Sequence, residues 1–366
     1  MTSGEAPRRV LVTGASGLLG GAVARLLAEK GHTVRTLQRT PMPSVPVMPA
    51  AAGVAAAGAA AGVAAVAAAG GQRPAAIEAV AGSVSDPAAV ARAVEGMDAV
   101  MHLAAKVSFT GEWQDFVDTN IIGTRTLLEA AKAAGIRDFV FVSSPSVAHF
   151  GGPIAGADAG TADPDRARGF YARSKAAAEL LALAEDSPGF RVGAIRPHIV
   201  WGPGDTQLVE RVIDRARSGR LPLLNGGTAL IDTTYISNAA AAIVRGLERM
   251  DHAHGQALVV TNGQPRPVGE LLAGICAAAG VAAPAWSVPG GLARGAGSVI
   301  ERLWLAAGTR GLVQDEPPMT RFLAEQLSTS HWFDQRRTRE VLDWTPAVTV
   351  EDGMRRLAAH YGGTAA

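Results

Sequence analysis

The feature that most constrains the fold is a glycine-rich turn near the start of the chain. It reads Thr13-Gly14-Ala15-Ser16-Gly17-Leu18-Leu19-Gly20 and follows the apolar run Val10-Leu11-Val12. The stretch Gly17–Lys30 has a helical pattern. In such a turn the first glycine permits the tight bend, the second lets the backbone approach a bound group, and the third allows close helix packing. The turn therefore predicts a strand–turn–helix unit that holds the pyrophosphate of a dinucleotide at the helix N-terminus.

Apolar runs bounded by turn residues recur along the chain, separated by helical patterns. The predicted strands are Arg9–Thr13, Thr33–Leu37, Ile77–Ala81, Ala99–Leu103, Phe139–Ser143, Arg191–Arg196 and Ala257–Thr261. The predicted intervening helices are Gly17–Lys30, Pro87–Val94, Asn120–Ala134 and Tyr171–Glu185. This order builds a parallel sheet by right-handed crossovers. The predicted fold class is α/β, a doubly wound parallel Rossmann-type sheet with a smaller C-terminal substrate domain.

Two breaks in the pattern divide the chain. Gly202-Pro203-Gly204 precedes a predicted polar helix from Gln207 to Ser218, and after Pro265-Arg266-Pro267 helices and loops replace the alternating strands. We therefore predict a dinucleotide-binding domain over residues 7–200 and 228–264, and a substrate-binding domain over residues 201–227 and 265–366.

Residues 41–74 form a low-complexity insertion between the second and third predicted strands. Its stretch Pro49–Gly70 is uncharged, nearly all Ala, Gly and Val, and long enough to span a bilayer. Alanine and glycine contribute little transfer energy, and the flanking strands should lie side by side in one sheet. The prediction is a surface insertion, partly helical or disordered, and no transmembrane segment.

Composition excludes several function classes. The 366 residues carry a net charge of +1 with no basic block, which argues against a nucleic-acid partner. One cysteine, Cys276, cannot build a disulfide framework or a thiolate metal site, and no His/Asp/Glu cluster has metal-ligand spacing. Because the apolar run at the N-terminus is too short for a secretory signal, we expect a cytoplasmic protein without a metal.

Tyr171 and Lys175 lie four residues apart in a helical pattern. On a helix they share a face, so the ammonium can lie beside the phenol and is expected to lower the phenol pKa from about 10 toward the working pH. A tyrosine so placed can donate a proton to a carbonyl oxygen, or remove one from an alcohol, while a hydride moves at the adjacent carbon. The pair therefore predicts ketone and alcohol redox chemistry. The alternative is an exposed helix whose Tyr171 and Lys175 merely face water.

Ser143 and Ser144 end the fifth predicted strand, at the edge of the sheet where ligands bind. A hydroxyl there can hydrogen-bond the carbonyl oxygen that Tyr171 protonates, and we favour Ser144 over Ser143 for this role. The alternative is a serine that only satisfies a loop backbone.

Three further polar residues have less specific contexts. Asn120 begins a predicted helix, where an N-cap is the favoured interpretation. His102 lies within the fourth strand and is interpreted as a core histidine. His198 follows the sixth strand, where contact with a cofactor or substrate and a packing role are both open.

Cofactor choice in such folds is set where the second strand ends. The chain reads Leu37-Gln38-Arg39-Thr40 there, with an arginine and no carboxylate. Because Arg39 can pair with a 2′-phosphate, the sequence favours NADP(H) over NAD(H). The alternative is a solvated loop arginine.

Together these motifs resemble the extended short-chain dehydrogenase/reductase superfamily over nearly the whole chain. The segments Ser143–Val147, Arg196–Asp205 and Asp232–Asn238 resemble its 3β-hydroxysteroid dehydrogenase-like branch. The tail segments Glu316–Leu323 and Ser330–Asp334 are most similar to the 2-alkyl-3-oxoalkanoate reductases of bacterial long-chain olefin biosynthesis.

The resemblance implies reduction of a long-chain 2-alkyl-3-keto acid to the 3-hydroxy acid with NADPH. It implies that Lys175 binds the nicotinamide ribose, that Asn120 supports the lysine through water, and that Pro197 to Val200 line the nicotinamide. It also implies an apolar keto or hydroxy acid substrate and association with other enzymes of the olefin pathway, and it is compatible with a homodimer. The predicted catalytic residues are Ser144, Tyr171, Lys175 and Asn120. The predicted cofactor-binding residues are Gly14, Ser16, Gly17, Leu18, Leu19, Gly20, Gln38, Arg39, Ser83, Val84, Leu103, Ala104, Ala105, Tyr171, Lys175, Pro197, His198, Ile199 and Val200.

The chain departs from the family pattern at two places. Ser83 stands where relatives usually carry an aspartate that holds the adenine amino group, so that contact is expected to be weaker or made by the backbone. The Ala/Gly-rich insertion after Arg39 has no counterpart in the pattern.

Three alternatives remain open from the sequence. One is a 3β-hydroxysteroid or sterol dehydrogenase. Another is a nucleotide-sugar epimerase or dehydratase with tightly bound NAD. The third is a catalytically silent NADP-sensing or scaffold protein, which the presence of both Tyr171 and Lys175 disfavours.

Overall fold

The computed structural model describes residues 6–40, 77–108, 111–308 and 321–362. The insertion at residues 41–74 and the tail residues Glu316–Thr320 lie outside the described residues. The strands are β1 Arg9–Thr13, β2 Thr33–Gln38, β3 Ile77–Ala81, β4 Ala99–His102, β5 Asp138–Val142, β6 Ile154–Ala157, β7 Arg191–Pro197, β8 Val200–Trp201, β9 Leu223–Leu224, β10 Leu230–Ile231, β11 Thr234–Tyr235, β12 Ala257–Val260, β13 Arg266–Pro267, β14 Ser287–Val288 and β15 His331–Phe333.

The helices alternate with these strands along most of the chain. They are α1 Leu18–Glu29, α2 Pro87–Val94, α3 Trp113–Phe116, α4 Gly123–Ala133, α5 Gly169–Ala184, α6 Val209–Arg217, α7 Ile236–Glu248, α8 Met250–Ala253, α9 Val268–Ala278, α10 Gly290–Gly308, α11 Arg321–Ser328, α12 Arg336–Leu342 and α13 Val350–Tyr361. A π-helical segment, Val117–Ile122, joins α3 to α4, and short 3₁₀ turns occupy Pro145–Ala148 and Asn225–Gly227.

Seven strands form one central sheet in the order β12-β7-β5-β4-β1-β2-β3, and every neighbouring pair is parallel. The prediction of a doubly wound parallel sheet is confirmed. Predicted strand ends agree with the structure to within one residue. Leu103, Ser143 and Thr261, which were predicted to end strands, directly follow them. The carboxyl ends of all seven strands meet at one edge of the sheet, which is where ligands bind in this architecture.

Hydrophobic cores cover both faces of the sheet because side chains alternate along each strand. Val10 and Val12 belong to a cluster with residues of α1 and α7, whereas Leu11 between them belongs to a cluster with residues of α2, α4 and α5. Each buried leucine or valine of this kind contributes about 1.5–3 kcal/mol of burial free energy. The two cores hold α1 and α5, and hence the sheet edge they flank, in fixed positions.

A third hydrophobic cluster lies outside the central sheet. It unites Trp201 after β7 with residues of α6, α9 and α13. The end of α12 behaves differently, because Val341, Leu342 and Trp344 pack into the α1–α7 side of the sheet core. The C-terminal part of the chain therefore contacts the central sheet as well as building its own core.

Candidate active site

The glycine-rich turn connects β1 to α1 as predicted. Gly14 has φ +75°, and a Cβ there would come within 2.7 Å of the Ala104 backbone nitrogen. A Cβ on Gly20 would meet the Gly14 carbonyl oxygen at 2.2 Å, so only glycine fits at either position. Helix α1 has Gly17 as its N-cap, makes no side-chain cap and has no acidic residue in its first turn. Its N-terminal N–H groups and positive dipole end suit the pyrophosphate of a dinucleotide.

The loop after β4 is joined to this turn by one hydroxyl. Thr13 Oγ1 accepts hydrogen bonds from the backbone N–H groups of Leu103 (3.2 Å) and Ala104 (3.1 Å). Ala105 follows in the same loop. The structure therefore brings the predicted cofactor residues of the first and fourth strands side by side.

Gln38 and Arg39 lie at the carboxyl end of β2. Gln38 is buried, and its Oε1 has no hydrogen-bond partner among the described residues, while Arg39 is exposed. An orphaned buried acceptor costs free energy unless a bound donor satisfies it. This residue set suits the ribose end of a dinucleotide, in which hydroxyls donate and an added phosphate would meet Arg39.

Ser83 and Val84 follow β3. The Ser83 hydroxyl lies 2.8 Å from that of Ser85 and accepts from the Ser85 backbone N–H, so it stabilises its own turn. Val84 is buried against Gly123, where a Cβ would come within 2.6 Å of a Val84 methyl carbon. Both residues are thus held by local packing.

Pro197 to Val200 occupy the end of β7 and the start of β8. The His198 N–H donates to the Val260 carbonyl, and Ile199 has the uncommon positive φ of 43°. This local geometry turns the chain across the carboxyl edge of the sheet. The structure thus places Pro197–Val200 at the same edge as the glycine-rich turn.

Tyr171 lies in the first turn of α5, and its phenol is near enough to the Ser144 hydroxyl for that group to affect its pKa. Ser144 directly follows Ser143 at the end of β5, so the hydroxyl stands at the carboxyl edge of the sheet. Burial raises the pKa of Tyr171 to about 12, although the hydrogen bond from Ser144 opposes this rise. The predicted lowering of the phenol pKa is wrong. At neutral pH the phenol keeps its proton, which is the form that an acid catalyst requires.

The position of Lys175 explains that correction. The side chain is 2% exposed, and its Nζ donates to the Val142 carbonyl at 2.7 Å and lies 4.0 Å from the centroid of the Phe141 ring. Burial lowers the pKa of Lys175 to about 7, even though the Glu179 carboxylate one turn further along α5 opposes the drop. Sharing a helix face with Tyr171 does not make the ammonium the dominant influence on the phenol, because its hydrogen bond is made to the strand.

Asn120 does not cap a helix, so that favoured interpretation is wrong. It lies inside the continuous run of α3, the π-helical segment and α4, and is 1% exposed. Its Oδ1 accepts from the Lys106 N–H at 2.7 Å, and its Nδ2 donates to the Lys106 carbonyl and, at 2.9 Å, to Ser174 Oγ. Ser174 Oγ in turn donates to the Tyr171 carbonyl. Asn120 therefore ties the loop after β4 to the helix that carries Tyr171.

The two histidines are both buried. His102 is a core residue as interpreted, because Thr13 and Thr124 hydroxyls bond its two ring nitrogens and burial lowers its pKa to about 3. His198 Nδ1 lies 2.6 Å from the Asp232 carbonyl oxygen, its ring packs on Phe333, and burial lowers its pKa to about 4. These contacts give His198 a packing role.

Sequence reasoning missed a buried ion pair behind this site. Arg196 on β7 and Glu179 on α5 are each 1% exposed and are joined by two hydrogen bonds, the Nε–Oε2 one at 2.8 Å. Arg196 also donates to the carbonyls of Ala159 and Gly160 in the loop that precedes α5. The only sequence signal was that Glu179 continues the face of Tyr171 and Lys175 at i+4 spacing.

The chain is similar in sequence to known proteins of one family. The model of the NAD dependent epimerase/dehydratase family matches residues 10–261. The chain is 36% identical to a 2-alkyl-3-oxoalkanoate reductase of Stenotrophomonas maltophilia, over 96% of this chain and 98% of that protein. It is 27% identical to a 3-beta-hydroxysteroid dehydrogenase of Mycolicibacterium neoaurum, over 96% of this chain and 91% of the other.

Solved structures show the same fold. The dTDP-glucose 4,6-dehydratase of Streptomyces venezuelae, solved with NAD, superposes with a TM-score of 0.68 at 21% identity, over 97% of each chain. The family model covers well over half of the sequence, and the chain therefore belongs to the NAD dependent epimerase/dehydratase family, within the extended short-chain dehydrogenases/reductases. It is an oxidoreductase of that family, and its resemblance to the 3β-hydroxysteroid dehydrogenase-like branch is confirmed.

Two further observations concern the described residues alone. No helix among them combines the length and apolar character needed to cross a membrane. Nor does the described part of the chain bring three or more His, Cys, Asp or Glu side chains together in a way that could hold a metal ion.

Proposed function

We propose that this protein is an NADP(H)-dependent reductase that converts a 2-alkyl-3-oxoalkanoate to the 2-alkyl-3-hydroxyalkanoate in long-chain olefin biosynthesis. The observation that carries the proposal is the Tyr171 phenol, protonated at neutral pH and placed near Ser144 at the carboxyl edge of the sheet. The relationship to a 2-alkyl-3-oxoalkanoate reductase over nearly the full length of both chains supports the substrate class.

Tyr171, Ser144 and Lys175 each have a separate role in the reduction. A reduced nicotinamide, when bound, supplies the hydride that such a reduction needs. The Tyr171 O–H bond breaks, its proton forms the O–H bond of the product alcohol, and the phenolate left behind regains a proton from solvent. Ser144 donates a hydrogen bond to the carbonyl oxygen as negative charge develops there. Lys175 holds positive charge one helical turn away and binds the ribose.

The preference for NADP(H) is supported by Arg39, which is exposed at the end of β2 where no carboxylate stands. An Arg39→Ala variant should lose about tenfold in kcat/KM with NADPH and little with NADH, because only the 2′-phosphate pairs with the guanidinium. Equal losses with both cofactors would reject this part of the proposal.

The activity itself is tested by incubating purified protein with NADPH and a synthetic 2-alkyl-3-keto acid, and by following loss of nicotinamide absorbance. A 3β-hydroxysteroid and a nucleotide sugar serve as competing substrates. Turnover of the keto acid is the expected result. Turnover of the sugar nucleotide alone, with NAD retained through purification, would reject the proposal in favour of an epimerase or dehydratase.

The proposal includes the arrangement around the site. Residues 201–227 and 265–366 are assigned to substrate binding, and the third hydrophobic cluster, built around Trp201, supports a separate unit there. We also propose that the protein is cytoplasmic and forms a homodimer. Because long-chain keto acids are poorly soluble, we propose in addition that it associates with other enzymes of the olefin pathway. Size-exclusion chromatography and co-purification from cells would test these two associations.

A further inference from the structure

The two serines of the turn after β5 face each other. Ser144 is the N-cap of the 3₁₀ turn Pro145–Ala148, and its Oγ accepts from the Ser146 backbone N–H at 3.3 Å. Proline at the first position of the turn presets its backbone. Ser146 lies two residues further along, and its Oγ is 2.9 Å from Ser144 Oγ. The sequence Ser144-Pro145-Ser146 thus builds a hydroxyl pair at the edge of the candidate active site.

The number of protons on each hydroxyl determines which serine donates in this hydrogen bond. A serine hydroxyl has one proton to donate and two lone pairs that accept. In the proposed reduction the Ser144 hydroxyl donates its one proton to the carbonyl oxygen of the substrate. It then has no proton for Ser146, so the 2.9 Å contact needs Ser146 as its donor. Ser144 Oγ then accepts from both the N–H and the O–H of Ser146.

We propose that Ser146 is a positioning residue, which fills the acceptor sites of Ser144 and so directs its single proton toward the oxygen that Tyr171 protonates. This inference rests on the proposed roles of Ser144 and Tyr171. An oxyanion donor is most effective when it is already oriented as charge develops. Without the Ser146 hydroxyl, the Ser144 O–H can rotate toward other acceptors.

Ser146→Ala tests the inference because it removes the hydroxyl and keeps the backbone N–H that shapes the turn. We expect kcat to fall about tenfold while KM stays within about twofold, since the hydroxyl acts as charge develops and not in binding. Ser146→Thr, which keeps a hydroxyl, should recover most of the kcat. The matched control is Ser143→Ala, whose buried Oγ has no partner among the described residues and whose loss should leave kcat unchanged.

The outcomes separate this inference from the proposed function. Wild-type kcat in Ser146→Ala would overturn it, as would equal losses in Ser146→Ala and Ser146→Thr accompanied by a lower melting temperature, which indicates a structural role. If the wild type reduces a 3-oxosteroid and not the keto acid, the substrate assignment fails and the same variants are compared on the steroid. A wild type inactive with every carbonyl compound would overturn both.

Discussion

The first and third turns of α5 are both polar, but they are polar in different ways. Tyr171 in the first turn is half-buried beside the neutral Ser144 hydroxyl, whereas Glu179 in the third turn is fully buried and bonded to a charged guanidinium. Lys175 lies between them, with its ammonium bonded to β5. The Tyr171 phenol therefore has a neutral neighbour, and the Glu179–Arg196 ion pair lies two helical turns further along α5. Helical spacing therefore places Tyr171 and Lys175 on one face, whereas burial, opposed by the Glu179 carboxylate, sets the pKa of Lys175.

The largest effect on activity is expected from a substitution of Lys175, in the second turn of α5. Lys175→Met should lower kcat/KM by about 10³-fold, because it removes the cation that stabilises developing negative charge. Its melting temperature should stay the same or rise, since burying an ammonium is costly and methionine fills the same space. Thermal unfolding and initial rates measure the two effects. A variant that is unfolded at the assay temperature would contradict the assignment of Lys175 to function.

Glu179→Gln should instead affect stability more than activity. It leaves Arg196 buried without its counter-charge and should cost about 3–5 kcal/mol of unfolding free energy. Because Glu179 raises the pKa of Lys175, the variant should also lose kcat/KM at lower pH than the wild type on the alkaline side of the pH profile. Denaturant titration and pH–rate profiles measure these changes.

The matched control for that variant is Glu185→Gln at the exposed end of the same helix. Glu185 pairs with Lys132 at the surface, and loss of such a pair costs about 1 kcal/mol or less. Replacing both Glu179 and Arg196 with methionine should restore most of the stability and not the pH profile. If kcat/KM of Glu179→Gln fell at the same alkaline pH as that of the wild type, Glu179 would not act on Lys175.

A smaller effect is expected from acid. Burial lowers the pKa of His102 and His331 to about 3 and that of His198 to about 4, against about 6.5 in an unfolded chain. The unfolded state therefore binds these protons first, and stability present above about pH 6.5 falls as the pH drops toward 4. Asp232, whose pKa burial raises to about 6, opposes part of this loss because its neutral form is favoured when folded.

We expect the unfolding free energy to fall between pH 7 and pH 5, measured by urea denaturation at each pH. His102→Gln keeps a polar side chain and should flatten part of the slope. Unfolding free energies that rose as the pH fell would contradict the assignment of neutral buried histidines.

Much of the sheet could be predicted from the sequence because its strands are buried on both faces. Runs such as Val10-Leu11-Val12 leave little choice of conformation, and Gly20 is required by a contact within the turn itself, with the Gly14 carbonyl. Local patterns of this kind determine the fold and the position of Tyr171.

The features that could not be predicted depend on residues distant in the chain. Asn120 is a good helix cap by type, but its actual partners are Lys106 and Ser174, which lie 14 and 54 positions away. Helical spacing put Lys175 on the face of Tyr171 but gave no information on the Val142 carbonyl that binds its ammonium. The pairing of Glu179 with Arg196 likewise needed the strand and helix to be packed together.

The central claim is that Tyr171 delivers the proton, and the most direct measurement compares nicotinamide oxidation by the wild type and Tyr171→Phe with a 2-alkyl-3-keto acid. Tyr171→Phe should bind NADPH as tightly as the wild type, judged by nicotinamide fluorescence, and should reduce the keto acid about 10³-fold more slowly. A Tyr171→Phe protein that turned over at the wild-type rate would contradict it.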